Sequence, residues 1–124
     1  MPRIDVVHAG ETRADNQRSD LVRDIGFETK GLLFARTRIR GGNVSAWHHH
    51  GKWAIYAFMV SGGIRFDYFD GKEISVEVRA GDFFRIPEGL IHRDTNLSKD
   101  EEAVMVVVFL GEGPTTVNVT APRN

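Results

Sequence analysis

The chain has 124 residues, 41% of them hydrophobic, and this size and composition fit a single globular domain. Lys and Arg nearly balance Asp and Glu, giving a formal net charge of -1 with no dense basic block, so neither nucleic acid nor a membrane is expected as a partner. The lack of cysteine excludes disulfides, thiolate ligands and thiol catalysis, and the lack of an export signal makes the protein's expected location cytoplasmic.

Strands are the predicted elements along most of the chain. Residues 1–25 are largely polar and are expected to form an arm or an edge strand. After them, apolar runs of strand length recur between turn sequences, with little helical periodicity. In order, these runs are GLLFARTRIR, WAIYAFMV, IRFDYF, EISVEVR, DFFRIP and AVMVVVFL. Residues 26–118 are therefore predicted to form an all-β sandwich, jelly roll or barrel, followed by a tail over 119–124.

A hairpin is predicted between the third and fourth of these runs. There, Asp70-Gly71 separates two segments in which apolar and polar residues alternate. This dipeptide favours a two-residue turn, because glycine adopts a positive φ without a steric cost. The two segments are therefore expected to pair as antiparallel neighbours.

Three consecutive histidines are the main candidates for function. In a strand, His48 and His50 share one face about 6.5 to 7 Å apart, and His49 faces the other way. His92, in GDFFRIPEGLIHRDTN, is the candidate third ligand. Three neutral imidazoles bind Zn, Fe, Ni or Cu and leave coordination positions open, as in catalytic sites. The alternative is that these histidines are hydrogen-bonded interior residues of a barrel without metal.

Two spaced motifs resemble those of the cupin family. The family's first motif is G-x5-H-x-H-x3or4-E-x6-G, and its second is G-x5-P-x-G-x2-H-x3-N. The chain matches the second in full and the first at every position but the glutamate, through Gly42, His48, His50, Gly62, Gly81, Pro87, Gly89, His92 and Asn96. The resemblance implies an antiparallel cupin-type double-stranded β-helix, a jelly-roll barrel, with an N-terminal arm and with the three histidines directed inward as metal ligands.

The chain departs from the family pattern at the glutamate, whose position Ile55 occupies. Without this carboxylate the net charge of a divalent site rises from about +1 to about +2, and one wall becomes apolar. Such a site favours anionic, chelating substrates. Asp94 would share the face of His92 if the strand stays regular, but the turn-like sequence RDTNLSKDE favours a strand that ends nearby.

The alternation of side chains predicts the wall of the substrate pocket. Continuing from Ile55, Ala57 and Met59 fall on the same face. If the register holds beyond the next turn, Phe66 and Tyr68 also line the cavity. Tyr68 is then the best available proton donor, and no inward general base is assigned.

The function that the resemblance favours is a mononuclear non-haem metal oxygenase, because some cupin dioxygenases use three histidines and no carboxylate. The expected cofactor is one divalent transition metal ion, with Fe(II) favoured and Ni, Mn, Zn or Cu as alternatives. The expected substrate is a small chelating anion. Two alternatives remain open, namely a non-catalytic or sensory protein that binds a small molecule and a metal-assisted isomerase or lyase.

A homodimer is the expected assembly. Small cupins commonly pair through sheet faces, and the apolar side chains of Trp47, Tyr56 and Phe58 are predicted to point outward from the barrel. If these three side chains were exposed to solvent, they would not contribute to stability through the burial of apolar surface.

Overall fold

A computed structural model describes residues 2–15 and 18–122 and confirms the all-β prediction. One short 3₁₀ turn, Ala9–Glu11, precedes the strands. The strands are β1 (Arg13–Asp15), β2 (Leu21–Thr29), β3 (Leu32–Ile39), β4 (His48–His49), β5 (Ala54–Ser61), β6 (Gly63–Phe69), β7 (Glu73–Arg79), β8 (Phe83–Ile86), β9 (His92–Asn96), β10 (Ala103–Leu110) and β11 (Val117–Asn118). Among the described residues, no helix is long and apolar enough to span a bilayer.

The strands form two antiparallel sheets that together make the jelly-roll barrel. The six-stranded sheet has the order β1-β2-β3-β10-β5-β8, and the five-stranded sheet has the order β11-β4-β9-β6-β7. Strands close in sequence are therefore often separated in space, as β3 and β5 are by β10. This topology brings β4 and β9 together, and with them the two motif segments that carry histidine.

The core lies between the sheets and follows the predicted alternation. In β5, Ile55, Ala57 and Met59 are buried, whereas Tyr56 and Phe58 are 47% and 36% exposed on the outer face. Strand β10 alternates in the same way, because buried and half-buried residues follow one another from Ala103 to Phe109. The inward residues of both strands belong to one apolar cluster, so each strand buries one face.

Trp47 points outward on the other sheet. It is half-buried, and its ring centroid lies 5.9 Å from that of Phe69. The guanidinium of Arg93 lies 4.7 Å from the ring centroid of Trp47. Trp47 thus has neighbours within its own chain, whereas Tyr56 and Phe58 lie on the outer face of the six-stranded sheet. The three outward aromatic residues do not share one surface.

The predicted boundary between arm and barrel needs correction. Strand β2 runs through residue 25 and pairs with β3 along its length. Leu21 and Ile25 belong to the apolar core, so the barrel begins within the predicted arm. The charged residues between Leu21 and Ile25 make this segment polar in composition, so composition alone does not show that alternate residues face the core. The predicted arm, 1–25, and the predicted tail, 119–124, also include positions 1, 16, 17, 123 and 124, which lie outside the described residues.

The predicted hairpin joins β6 and β7, but its turn is longer than expected. Phe69 pairs with Glu73, so three residues rather than two connect the paired positions. Gly71 has a φ of 73°, in the region that glycine adopts most easily. The Asp70 N–H donates to the Lys72 carbonyl at 2.9 Å, which closes the loop.

Candidate metal centre

The three predicted histidine ligands meet inside the barrel. His48 and His92 are directly paired between β4 and β9, and their ring centroids are 4.4 Å apart. The ring of His50 lies 5.0 Å from His48 and 5.1 Å from His92. One ligand nitrogen from each residue lies within 4.8 Å of the other two. All three side chains are buried, with relative exposures of 1 to 4%.

Hydrogen bonds to the backbone orient all three rings in the same way. Each Nδ1 lies against a carbonyl oxygen, which accepts and therefore requires the N–H on that nitrogen. Each Nε2 is then left with a lone pair, the form in which imidazole binds a metal. The pairs are His48 with Ala46 at 2.8 Å, His50 with Thr115 at 2.7 Å and His92 with Leu90 at 2.9 Å.

A turn in the second motif positions His92. The Leu90 N–H lies 3.4 Å from the Pro87 carbonyl, and Gly89 has a φ of 71°. The same turn presents the Leu90 carbonyl to His92 Nδ1. The role assigned to Pro87 and Gly89 from the sequence, that they aim His92, agrees with this arrangement.

His49 takes no part in the cluster. It is half-buried, and its Nδ1 accepts a hydrogen bond from the Gly51 N–H at 2.9 Å. It pairs with Val117 of β11 at the edge of the five-stranded sheet. The alternation along β4 therefore directs His48 and His50 inward and His49 elsewhere.

Burial holds the rings of His48 and His50 in their neutral form. Burial lowers the pKa of His50 to about 2, with a further contribution from the neighbouring His92 and His48. Burial also lowers the pKa of His48 to about 4, although the nearby carboxylate of Asp94 opposes this change. Neutral imidazoles at pH 7 are the state that a metal ion requires.

A carboxylate also reaches the cluster, from a position where the strand was expected to end. Strand β9 continues to Asn96, so Asp94 lies on the same side as His92. The Asp94 N–H donates to Ser45 Oγ at 2.9 Å, and its carbonyl accepts from the Ser45 N–H at 2.8 Å. Asn96 Nδ2 donates to three backbone carbonyls, which secures the end of the strand. The expectation of an early strand end is therefore wrong.

The donor set fits a divalent transition ion. His92 Nε2 is buried and has no hydrogen-bond partner among the described residues, and the same is true of Asp94 Oδ1. Buried polar atoms are rarely left unpaired in a folded protein, so this pair points to a bound cation. Neutral imidazole nitrogens suit Zn, Cu, Fe and Ni, which agrees with the metals expected from the sequence.

Comparison with known proteins identifies the family. The family model for the cupin domain matches residues 35–109, more than half of the chain. The chain belongs to the cupin family. Germin-like protein 5-1 from Oryza sativa subsp. japonica is 31% identical over 71 residues, which are 54% of this chain and 31% of the rice protein. This cupin thus spans only part of the length of the curated relative that it matches.

Solved structures show the same fold. An oxalate oxidase in complex with the substrate analogue glycolate is 27% identical, with a TM-score of 0.66, and the match covers 86% of this chain and 60% of the other. An uncharacterized conserved protein with a double-stranded β-helix domain from Klebsiella pneumoniae is 20% identical, with a TM-score of 0.69. That match covers 99% of this cupin and 100% of the Klebsiella chain.

Two arginines that the sequence did not single out also reach the site. Arg18 Nη1 lies 3.5 Å from His48 Nε2, and its Nη2 lies 3.5 Å from Asp94 Oδ2. Arg23 is 3% exposed, and its guanidinium lies 4.7 Å from the ring centroid of Phe109. Both residues lie in the predicted arm. The only sequence signal for this role was that Arg23 alternates with Leu21 and Ile25 and so shares their inward face.

The cavity beside the histidines is small and has mixed lining. Its volume is about 40 Å³, and both arginines, His50, His92 and Asp94 contribute to its wall. Ile55 and Phe66 line it, as the sequence predicts. Its other walls are the buried side chains Leu21, Thr37, Ile39, Phe84, Ile86, Met105, Val107 and Phe109.

Three other predicted pocket residues lie elsewhere. Met59 is fully buried in the apolar core, and Ala57 is buried beside a groove on the outer face of the six-stranded sheet. Neither forms part of the wall of the histidine cavity. Tyr68 pairs with His92 across the sheet but is half-buried and also lies outside that wall. Its role as a proton donor stays a prediction.

A second pocket lies beside the histidine cluster and has His48 in its wall. It has a volume of about 260 Å³ and is lined by Arg18, Ser19, Asp20, Ala46, His48, Thr116 and Asn118. Arg18 belongs to the walls of both this pocket and the inner cavity. Arg18 therefore borders both spaces beside the histidines.

Proposed function

We propose that this cupin is a mononuclear non-haem metal oxygenase, with Fe(II) as the favoured ion, that acts on a small chelating anion. The observation that carries the proposal is that two buried guanidiniums line one cavity with His50 and His92, two of the three clustered histidines. His48, His50 and His92 would hold the ion through Nε2. A bound ion would supply Lewis acidity and one-electron chemistry toward O2.

The arginines favour an anionic substrate. A buried guanidinium binds a carboxylate through two parallel hydrogen bonds, an arrangement that lysine does not provide. Arg18 donates to Asp20 from Nε at 2.9 Å, and Arg23 donates to Asp15 from Nη1 at 3.1 Å. These aspartates hold the guanidiniums in place, and Arg23 Nε, buried without a hydrogen-bond partner among the described residues, is left to orient an anion beside the histidines.

The size of the cavity limits the substrate. A water molecule occupies about 30 Å³ in the liquid, so the inner cavity of about 40 Å³ has room for only a few atoms. A substrate would therefore place a small chelating group inside and the rest of its structure in the outer pocket of about 260 Å³. Short carboxylic acids and their hydroxy or keto derivatives meet this requirement.

One comparison supports the same class of substrate. The similar oxalate oxidase was solved in complex with the substrate analogue glycolate, a small hydroxy acid. Because the chains are 27% identical and the match covers 60% of that oxidase, glycolate and oxalate belong among the compounds to be tested on this cupin.

The test is oxygen consumption by Fe(II)-loaded protein. The compounds are small hydroxy acids and dicarboxylates, β-dicarbonyls, catechols and thiols. We expect oxygen uptake with at least one anionic chelator, abolished in His50→Ala. Arg18→Gln should raise KM for that compound more than it lowers kcat, because it removes a group that binds the anion in the ground state.

Two outcomes would overturn the proposal in different ways. A protein that binds metal and anion without oxygen uptake or any product would be a binding or sensory cupin. Product formation without oxygen uptake would indicate a metal-assisted isomerase or lyase. Either result contradicts the oxygenase and leaves the histidine site intact.

A further inference from the structure

We infer that Asp94 is the carboxylate ligand of the metal centre and takes the place of the glutamate that Ile55 replaces. The inference rests on the metal site of the proposed function. It does not depend on whether the reaction is an oxygenation. It moves the acidic ligand from β5, in one sheet, to β9, in the other.

The distances from Asp94 to two of the histidines fit ligands of one ion. Two ligand atoms that each lie about 2.1 Å from an ion are themselves roughly 3 to 4.2 Å apart. Asp94 Oδ1 lies 3.4 Å from His92 Nε2 and 3.9 Å from His48 Nε2. Both distances fall within that range. Both are also long for a direct hydrogen bond, and these nitrogens carry no hydrogen in the tautomer that their Nδ1 contacts require.

The chemistry of the cluster calls for a cation. The Nε2 lone pairs of His48 and His92 and one carboxylate oxygen of Asp94 lie together in a space from which solvent is excluded, since Asp94 is 6% exposed and these two histidines 1%. All three groups are acceptors. Arg18 is a donor beside them, and its contacts with His48 Nε2 and Asp94 Oδ2 are both 3.5 Å long. A divalent ion would satisfy these three acceptors together.

A purely structural role for Asp94, as the partner of Arg18, explains less. Arg18 already has two shorter contacts with Asp20, of 2.9 and 2.5 Å. The oxygen of Asp94 that faces Arg18 is Oδ2, at 3.5 Å. An ion pair with Arg18 therefore leaves Oδ1 buried beside the histidines without a partner. Metal binding accounts for that oxygen.

The test compares Asp94→Asn with Asp67→Asn. Asp67 is the matched control, because it is also buried and ion-paired with an arginine, Arg93 at 3.0 Å, but forms no ion pair with a histidine among the described residues. Competition with a chelator measures affinity for Co(II), and the visible spectrum of bound Co(II) reports the ligand set. We expect Asp94→Asn to weaken binding more than about 100-fold, beyond the usual effect of a residue that only orients a ligand.

A second background separates direct binding from an effect through Arg18. If Asp94 binds the ion, Asp94→Asn weakens Co(II) binding and changes its spectrum in wild-type protein and equally in Arg18→Gln protein. A loss that disappears in the Arg18→Gln background would overturn the inference, as would an unchanged spectrum in Asp94→Asn. Should Asp94→Asn fail to fold, Asp94→Glu decides, since a ligand moved by one methylene group must alter the spectrum.

The two proposals fail in distinguishable ways. Wild-type affinity and spectrum in Asp94→Asn would remove Asp94 from the ligand set while the three-histidine site stands. Failure of wild-type protein to bind Co(II) would overturn the metal site and this inference together.

Discussion

Replacing Ile55 by glutamate tests where the first motif places the missing carboxylate. Ile55 is 3% exposed, lines the histidine cavity and pairs across the sheet with Phe109 and Ile86. Losing its buried side chain costs about 2–3 kcal/mol, and burying a carboxylate in its place costs several more. We expect metal-free Ile55→Glu to lose at least about 5 kcal/mol of the roughly 5–15 kcal/mol that stabilises a domain.

A bound divalent ion should reverse much of that loss, because the introduced carboxylate gains Coulomb attraction to the ion. Each tenfold gain in affinity adds about 1.4 kcal/mol to the stability of the loaded protein, or roughly 4 °C in Tm. Ile55→Glu should therefore have a lower Tm than wild type without metal and a larger rise in Tm with it. Activity toward a chelating anion should fall, since the site carries one positive charge fewer.

Thermal unfolding with and without a saturating divalent ion, combined with chelator competition, measures both effects. Ile55→Gln is the matched control, because it buries a polar group of the same size without adding charge. General damage to the fold would lower metal affinity and activity together, so it would not imitate a gain in one and a loss in the other. Wild-type metal affinity and activity in Ile55→Glu would refute the reasoning, because Ile55 would then have to face away from the metal.

Three other results are expected. His49→Ala should keep about one metal ion per chain and His48→Ala should lose it; the reverse result in metal analysis would contradict the register of β4. In metal-free protein, the lowered pKa values of His48, about 4, and His50, about 2, mean that the unfolded state binds more protons below pH 6.5. Urea unfolding should therefore show stability falling by up to about 1.4 kcal/mol per histidine and pH unit as pH drops below that value, and less steeply in His50→Gln. Light scattering should show a homodimer at micromolar concentration, since Tyr56 and Phe58 lie on an apolar outer sheet face; a monomer would count against it.

The parts of the fold that could be predicted were those with local signals. Apolar runs between turn sequences predicted six strands, β3, β5, β6, β7, β8 and β10, almost to the residue, as in Ala103–Leu110. The spacing of His48, His50 and His92 gave the metal cluster, because a strand fixes the side on which alternate residues lie. These features depend on residues that are close together in the sequence or on a motif whose spacing is characteristic of the fold.

The parts that could not be predicted depend on contacts between distant segments. Arg18 reaches His48 and Asp94, which are 30 and 76 residues away, and it lies just before β2, which pairs with β3. The continuation of β9 through Asp94 depends on hydrogen bonds with Ser45 and with the side chain of Asn96. The turn-like sequence RDTNLSKDE gives no sign of these contacts. Tertiary hydrogen bonds thus overrode local sequence preference at the residues nearest the site.

Metal analysis of protein purified without chelators tests the central claim most directly. We predict about one divalent transition ion per chain in wild-type protein, and almost none in folded His48→Ala, His50→Ala and His92→Ala variants prepared in the same way. Wild-type protein that takes up no ion even after anaerobic loading with Fe(II), or variants that retain the ion at the wild-type level, would contradict the metal centre.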